Sequence, residues 1–162
     1  MNIRIVNNLD IPKWWALSHE YDCYVQELVP DLTEWYDGND TAPAFDEYME
    51  RRINRQEAFI VVDAHDNCLG IAAISRVNNN ITFFGVTHKA DFQTVGKTLL
   101  SYTLENLNNS KAVSVNEINN TSSHIKNHIE LFESNGFNYS HDSLEHGVPV
   151  NTFVRPPLGE KL

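Results

Sequence analysis

The chain has 162 residues, of which 41% are hydrophobic and 21% charged, and this length and composition fit one globular domain with its own core. The formal net charge is −10. This charge argues against a nucleic-acid partner or an anionic membrane surface, because both are negatively charged. It favours cationic partners such as amines, although acidity also serves solubility alone. We therefore expect residues 1–162 to form a single domain.

Cysteine usage and hydropathy bear on the compartment. Cys23 and Cys68 lie far apart and form no Cys-x-x-Cys pattern. Met1–Asp10 contains no apolar signal core, and no stretch approaches the length of a membrane span. These features predict a cytoplasmic protein with reduced thiols and no membrane partner.

The N-terminal part is predicted to form a strand and two helices. Residues alternate between polar and apolar over Asn2–Val6, as in a short strand. Asp10 is a typical helix N-cap, and Pro30 ends the helix that follows. A second helix is predicted over Phe45–Arg55. One face of the first helix is apolar, with residues three or four apart: Trp14, Leu17, Tyr21, Val25 and Leu28.

The middle of the chain is predicted to be an antiparallel meander. Turn residues at Asp66-Asn67 and Asn78–Asn80 separate three apolar segments. The first segment is almost continuously apolar, which is typical of a buried strand. The three predicted strands are Ala58–Ala64, Cys68–Val77 and Ile81–Thr87.

The hydrophobic period then changes to that of a helix, and an alternating strand at Ala112–Ile118 follows. A strand, a helix and a strand in this order predict a parallel crossover. Ser122 or Ser123 caps a fourth helix, and Gly136 ends it. Two short strands close the chain, Phe137–His141 and Val150–Arg155.

The turn after the third meander strand has the sequence HKADFQTVGKTLL, from His88 to Leu100. It resembles the loop Gln/Arg-x-x-Gly-x-Gly/Ala before a Leu-Leu pair in the GNAT superfamily of acyl-CoA-dependent N-acyltransferases. Free N–H groups and the dipole at a helix start bind phosphates. The resemblance implies that acetyl-CoA is the co-substrate and that its pyrophosphate is bound by residues of this loop: Gln93, Thr94, Val95, Gly96, Lys97 and Thr98.

The loop departs from the family pattern, and two alignments stay open. Counting back from the Leu pair places Gly96 on the last motif position and Asp91 on the usual Gln or Arg. Counting forward from Gln93 places Gly96 and Thr98 on the two small positions. Neither alignment recovers every small residue, so the CoA-binding loop is degenerate.

A second segment, IKNHIELFESNGF, resembles the closing signature of the same superfamily, Asn-x-x-Ala-x-x-Leu-Tyr-x-x-x-Gly-Phe. The Leu, the Gly and the last Phe keep their spacing. Phe132 stands where the family often has a Tyr that acts as general acid near the thiolate. Asn119 matches the Asn of the signature by distance from its strand, whereas Asn127 lies closer to the signature position by distance from Phe132. The resemblance implies that these three positions lie at the bound cofactor.

The resemblance also covers the element order of the whole chain, β-α-α-β-β-β-α-β-α-β-β. It implies an α/β (α+β) fold of the GNAT type, with a mixed, mostly antiparallel central sheet of about seven strands flanked by four helices. In the family the sheet splays between two parallel neighbours, the pantetheine arm lies in the gap, and an amine attacks the thioester directly. A backbone N–H near Val86 would polarise the thioester carbonyl.

Glu117 and His88 are the candidate catalytic residues. Glu117 is the carboxylate on the Ala112–Ile118 strand and could accept the proton of the amine. It shares a face with Val113 and Val115, so either that face is core and Glu117 ends it at the mouth, or this role fails. His88, at the end of the central strand, is a second candidate base, although a loop histidine without a catalytic role is the more frequent case.

Two other groups of residues are weaker candidates. His124 and His128 are four apart on one helix but lack a third ligand at a supporting spacing, so we expect an exposed pair and no metal site. Most aromatic residues of the N-terminal part should be core, with one or two lining the acceptor pocket; they are Trp14, Trp15, Tyr21, Tyr24, Trp35 and Tyr36.

These patterns predict an N-acetyltransferase that moves an acetyl group from acetyl-CoA to a primary amine, which is a small cationic amine, an amino acid or a peptide amine. The alternative is an inactive GNAT-fold acyl-CoA-binding or regulatory module, which the degenerate loop and Phe132 favour. The N-terminal half, which shapes the acceptor pocket in the family, is rich in carboxylates and therefore favours a cationic acceptor. The oligomeric state, monomer or homodimer, stays open.

Overall fold

The structure is a computed structural model that describes residues 1–28, 43–119, 122–145 and 148–159. Its element order is the predicted one. None of the helices in these ranges is long and apolar enough to cross a membrane. The elements are β1 (Asn2–Ile5), α1 (Ile11–Leu28), α2 (Pro43–Asn54), β2 (Ala58–Val62), β3 (Cys68–Ser75), β4 (Asn80–Val86), α3 (Phe92–Glu105), β5 (Val113–Ile118), α4 (Ser123–Glu133), β6 (Asn138–Glu145) and β7 (Val148–Arg155).

The strands form one sheet of seven in the order β1-β2-β3-β4-β5-β7-β6. Every neighbouring pair is antiparallel except β4 and β5, which are parallel. The predicted mixed, mostly antiparallel sheet with a single parallel crossover is confirmed. The last hairpin is longer than predicted, because β6 is an edge strand with largely exposed side chains and carries little apolar alternation.

Two apolar clusters cover the two faces of the sheet. On one face, Trp14 of α1 and Met49 of α2 are fully buried against strand residues such as Ile60 and Ile71. On the other face, α3 and α4 contribute Leu99 and Phe132, among others, to a separate cluster. The helix pair α1 and α2 therefore lies opposite the pair α3 and α4.

The start of α1 is fixed to β1 by an ion pair. Arg4 donates to both carboxylate oxygens of Asp10, at 3.0 and 2.6 Å, and Asp10 is fully buried. The hydrogen bond from Arg4 lowers the pKa of this carboxyl group. Asp10 precedes α1 as predicted, but its carboxylate accepts from Arg4 and from the N–H of Asn7. This contact orients the helix that brings Glu20 and Tyr21 to the sheet.

The parallel neighbours β4 and β5 pair over a short distance only. Their register joins Asn80 to Ser114 and Ile81 to Val115. Beyond these two pairs β4 continues along β3 to Val86, and β5 continues along β7 to Ile118. The sheet is therefore closed at the amino ends of β4 and β5 and open at their carboxyl ends.

Asn79 holds the closed end together. It precedes β4, is 7% exposed, and has a φ of 52°. Its side-chain amide donates to the carbonyl oxygens of Asn108 and Ala112, and its side-chain oxygen accepts from the N–H of Asn108, at 2.9, 3.0 and 2.8 Å. The amide thus joins the β3–β4 turn to the segment that leads into β5. Asparagine also tolerates the left-handed backbone better than most residues.

We expect Asn79→Ala to lower the free energy of unfolding by about 3 kcal/mol, since three hydrogen bonds at about 1 kcal/mol each are lost. Chemical denaturation measures this difference. The matched control is Asn78→Ala, whose side chain is exposed in the same turn and which should change stability by less than about 0.5 kcal/mol. Equal stabilities of the two variants would contradict the role of the Asn79 side chain in joining these two segments.

Candidate active site

The open part of the sheet exposes backbone groups of β4. Thr87 donates its N–H to Leu69 of β3 at 2.9 Å, so Val86, one residue earlier, presents its N–H and C=O to the opposite edge, toward β5. Both groups are bonded by one side chain from α1. The Tyr21 hydroxyl donates to the Val86 carbonyl and accepts from the Val86 N–H, each at 2.9 Å.

Gly85 makes room for this tyrosine. A Cβ at position 85 would lie 2.7 Å from two ring atoms of Tyr21, which is closer than real Cβ atoms approach. The ring therefore crosses the backbone of β4 directly over Gly85. Tyr21 packs on the α1/α2 face of the sheet, and its hydroxyl reaches the open edge.

Side chains from opposite faces of the sheet meet in the gap. His128 belongs to α4, yet its ring stacks on that of Tyr21, with centroids 6.2 Å apart and planes at 20°. An intact sheet would keep these two helices apart, so the contact runs through the opening between β4 and β5. Phe84 of β4 and Phe92 of α3 also contact the His128 ring, at 5.8 and 5.3 Å between centroids.

Glu117 faces the gap from β5. It is 8% exposed, and its Oε1 lies 2.7 Å from Nδ1 of His128, which is 2% exposed. Of the two alternatives for Glu117, the structure supports the first, because Val113 and Val115 on the same face are core and Glu117 ends that row beside the open part of the sheet. The expectation of an exposed histidine pair is wrong for His128, which the apolar face of α4 buries.

His124 lies one turn before His128, with ring centroids 4.5 Å apart, and also contacts Tyr21 at 5.1 Å. Burial, with a smaller effect from the charge of His128, lowers the pKa of His124 to about 4. His124 is therefore neutral near pH 7. Within the described ranges no three His, Cys, Asp or Glu side chains are grouped as a metal site would require.

Glu20 and His88 mark the mouth of the gap. Glu20 lies on α1 next to Tyr21 and contacts the exposed His88 through Nδ1. The Thr87 hydroxyl donates to the same carboxylate at 3.4 Å. His88 and Glu117 thus both lie near the carboxyl ends of the central strands. His88 is exposed and contacts Glu20, whereas Glu117 is buried and contacts His128.

The start of α3 lies beside the gap, because Phe92, its first residue, stacks on His128. Asp91 caps this helix and accepts from the N–H of Thr94 at 3.3 Å and from its hydroxyl. The carboxylate of Asp91 is therefore already bonded to one of the N–H groups that could bind an anion at the helix start. A pyrophosphate bound there would be repelled by its negative charge. The Thr98 hydroxyl donates to the Thr94 carbonyl at 3.1 Å.

The other predicted loop residues divide by burial. Gln93 and Lys97 are exposed on the first turns of α3, whereas Val95 and Gly96 are buried. A Cβ on Gly96 would lie 2.9 Å from Leu131, so this glycine lets α3 approach α4 closely. The structure gives Gly96 a packing role in addition to the predicted contact with phosphate, which stays a prediction.

The three residues of the closing signature lie at different distances from the gap. Phe132 is fully buried and contacts the rings of Phe84 and His128. Asn127 is half-buried next to His128 in sequence. Asn119 is exposed and donates its N–H to Pro149 at 3.1 Å.

The sequence pattern predicts His128 as half of an exposed pair and does not place Tyr21 at the strand edge, although a signal for the burial of His128 exists. Residues 125, 128, 131 and 132 form the buried stripe of α4, so His128 sits on an apolar helical face. Counting back from Leu131-Phe132 also places the small Ala of the closing signature on His128.

For the aromatic residues of the N-terminal part, Trp14 is core and Trp15 stacks on His19. The side chains of Tyr24, Trp35 and Tyr36 lie outside the described residues.

We expect His124→Gln to reduce the acid sensitivity of stability. Between about pH 6.5 and 4 the unfolded wild type binds a proton at His124 that the folded protein does not, so wild-type stability falls as the pH drops through this window. Thermal unfolding at pH 7 and pH 5 measures the effect, at about 2–4 °C per kcal/mol for a domain of this size. His65→Gln, exposed in the β2–β3 turn, is the control and should keep the wild-type fall. A fall as large in His124→Gln as in wild type would contradict the burial of His124.

Comparison with known proteins identifies the family. Residues 31–149 match the model of the family described as Acetyltransferase (GNAT) domain. No curated protein sequence is similar enough to this chain to count as a match.

Solved structures share the fold. A GNAT-family acetyltransferase from Bacillus cereus is 18% identical, with 98% of each chain covered and a TM-score of 0.65. One from Streptococcus agalactiae is 14% identical, with 99% of this chain and 96% of that chain covered and a TM-score of 0.69. The ribosomal-protein-S18-alanine N-acetyltransferase from Escherichia coli is 14% identical, with 99% and 97% covered and a TM-score of 0.65.

The family match covers more than half of the chain, and the splayed seven-stranded sheet agrees with it. The predicted resemblance is confirmed, and the chain belongs to the GNAT family of acetyltransferases, which are acyl-CoA-dependent N-acetyltransferases.

Proposed function

We propose that this acetyltransferase transfers an acetyl group from acetyl-CoA to a cationic primary amine, by direct attack of the amine on a thioester held between β4 and β5. The observation that carries the proposal is the buried Glu117–His128 pair beside the open strand edge at Val86. Buried polar groups beside an opening in a sheet supply the proton acceptor and the hydrogen-bond donor that acyl transfer needs.

The strand edge suits the donor substrate. The pantetheine arm carries amide groups, which pair with an exposed strand edge as another strand would. Val86 offers one N–H and one C=O there, at present bonded to Tyr21. Thr82, immediately beyond the last β4–β5 pair, has a buried hydroxyl with no hydrogen-bond partner in the described part of the chain. Both features support a ligand with amide groups along β4.

The start of α3 supports the position of the phosphates. Gln93, Thr94, Lys97 and Thr98 lie on its first two turns, and Phe92 joins this turn to the gap. We assign the pyrophosphate to this helix start, with Lys97 as the nearby cation. Asp91 weakens the attraction, since its charge opposes that of the phosphates.

The reaction requires three proton movements besides the attack. A cationic acceptor releases one proton before its nitrogen has a lone pair, and the attacking nitrogen loses a second as the amide forms. The carbon–sulfur bond breaks, and the sulfur takes up one proton, so one proton is released overall. Glu117 and His88 are the candidate acceptors. The Val86 N–H would stabilise the carbonyl oxygen once the Tyr21 hydroxyl leaves it.

The charge at the mouth supports a cationic acceptor. Glu20 lies there with His88, and the chain carries a net charge of −10. Carboxylates around a cleft concentrate cations, and the effect weakens as salt rises. Many acidic residues of the N-terminal half have side chains outside the described ranges: Asp22, Glu27, Asp31, Glu34, Asp37, Asp40 and Asp46.

Small amines and peptide amines are both candidates for the cationic primary amine that accepts the acetyl group. The Escherichia coli structure is named for the acetylation of an alanine in a ribosomal protein. Peptides with a free N-terminal alanine therefore belong in the acceptor panel beside polyamines and amino sugars.

We expect thiol release from acetyl-CoA to be faster with spermidine than with glutamate, and this preference to shrink when salt rises from 20 to 500 mM, because salt screens the attraction. Glu20→Gln should lower kcat/KM for spermidine by about 2- to 5-fold at low salt, as loss of one exposed charge contact of up to ~1 kcal/mol implies. Glu133→Gln, an exposed carboxylate at the end of α4, is the control.

Three results would count against the proposal. Faster turnover of glutamate would overturn the cationic acceptor. An unchanged spermidine rate at high salt would remove the electrostatic argument. No thiol release with any amine, together with binding of acetyl-CoA, would instead favour the inactive acyl-CoA-binding module.

A further inference from the structure

We infer that His128 is a catalytic residue that carries the proton from the attacking amine nitrogen to the departing sulfur, and that Glu117 is the residue that positions it. This inference rests on the proposed acetyl transfer in the gap between β4 and β5. It changes the assignment of Glu117 from the proton acceptor to the partner of the acceptor.

The contact between the two side chains sets the tautomer of His128. Oε1 of Glu117 lies 2.7 Å from Nδ1 of the ring. An ionised carboxylate only accepts hydrogen bonds, so Nδ1 carries the hydrogen, and Nε2 of the neutral ring keeps a lone pair. The carboxylate also stabilises the imidazolium that forms when Nε2 takes up a proton.

Nε2 of His128 has no hydrogen-bond partner among the described residues, although His128 is only 2% exposed. Buried polar atoms in folded proteins nearly always have a partner, and an exception calls for an explanation such as a catalytic role or a bound molecule. A lone pair of this kind is suited to a ligand that brings an N–H or S–H group into the site.

The position of the ring favours the reacting centre over other ligands. His128 contacts Phe84 on the β4 side of the gap and Glu117 on the β5 side, so it spans the opening. Phe92 and Phe132 pack around it and exclude water. Tyr21, whose hydroxyl holds the Val86 backbone, stacks on the same ring. A thioester whose carbonyl oxygen reaches the Val86 N–H therefore lies beside His128.

Once the cationic acceptor has released its first proton to solvent, the proton balance of the transfer step closes with this residue alone. The neutral amine forms a bond to the carbonyl carbon, and the carbon–sulfur bond breaks with its electron pair on sulfur. Nε2 takes the proton that the nitrogen loses and passes it to the thiolate, which leaves as the thiol. No separate general acid is needed, which accounts for a phenylalanine at position 132, where no proton can be donated. The second candidate base, His88, is exposed and pairs with Glu20 instead.

Among the residues that the structure describes, the titratable groups that face His128 are Glu117 from β5, His124 from its own helix and Tyr21 from α1. The residues that contact it from β4 and α3, Phe84 and Phe92, carry no charge. Among these groups Glu117 is the only carboxylate, so its removal is the change that should alter proton transfer most directly.

The test is steady-state kinetics of thiol release with the best acceptor, across pH 5.5–9.5. His128→Gln should lower kcat by about 10²- to 10⁴-fold and leave KM for acetyl-CoA within a few-fold of wild type. The control His65→Gln should keep both values. Glu117→Gln should lower kcat less and move the acidic limb of the profile to lower pH, because an imidazolium without its carboxylate loses a proton more readily.

Separate outcomes test the role of His128 and the proposed acetyl transfer on which it rests. A wild type that releases no thiol with any acceptor overturns both. An active wild type with an unchanged kcat in His128→Gln overturns the role of His128 alone, and an unshifted profile in Glu117→Gln overturns the role of Glu117. If His128→Gln does not fold, nitrogen-15 spectra of the His128 ring nitrogens in the wild-type protein test the inference instead. Nitrogen-15 spectra at pH 8 should show hydrogen on Nδ1 only, and hydrogen on Nε2 would overturn the inference.

Discussion

The site depends on the early end of pairing between β4 and β5. Two residue pairs join these strands, and then each follows a different neighbour. The Asn79 side chain secures the closed end, so the opening lies at the carboxyl ends of the strands. An opening in a sheet leaves backbone groups without a ladder partner, and such groups must be satisfied in another way.

This constraint accounts for the side chains that fill the opening. Tyr21 satisfies the exposed N–H and C=O of Val86, and Gly85 is the small residue that lets its ring pass over the strand. Glu117 and His128 bond to each other because neither can reach water easily. An acyl-pantetheine that enters the gap would take over the backbone bonds that Tyr21 now makes. The same opening thus explains a buried tyrosine hydroxyl, a buried histidine bonded to a carboxylate and the chemistry proposed for them.

Hydrophobic period and turn residues predicted the order of the elements and the parallel crossover, because those patterns are local. The strand edge could not be predicted in this way, since the partner of Val86 is Tyr21, 65 residues away. The burial of His128 was not predicted for a different reason: a polar residue on the apolar stripe of α4 looks exposed until its partner Glu117 is known to face it. The predicted phosphate contacts of α3 stay predictions. The start of α3 differs from a simple anion site because the carboxylate of Asp91 already accepts from one of its N–H groups.

The central claim is that the gap between β4 and β5 holds the thioester. A crystal structure with a non-hydrolysable thioether analogue of acetyl-CoA tests it most directly. The account predicts the pantetheine arm between the two strands, its amide groups bonded to β4, and the Tyr21 hydroxyl moved away from the Val86 N–H. An analogue bound elsewhere, with the Tyr21–Val86 hydrogen bonds intact at 2.9 Å, would contradict it.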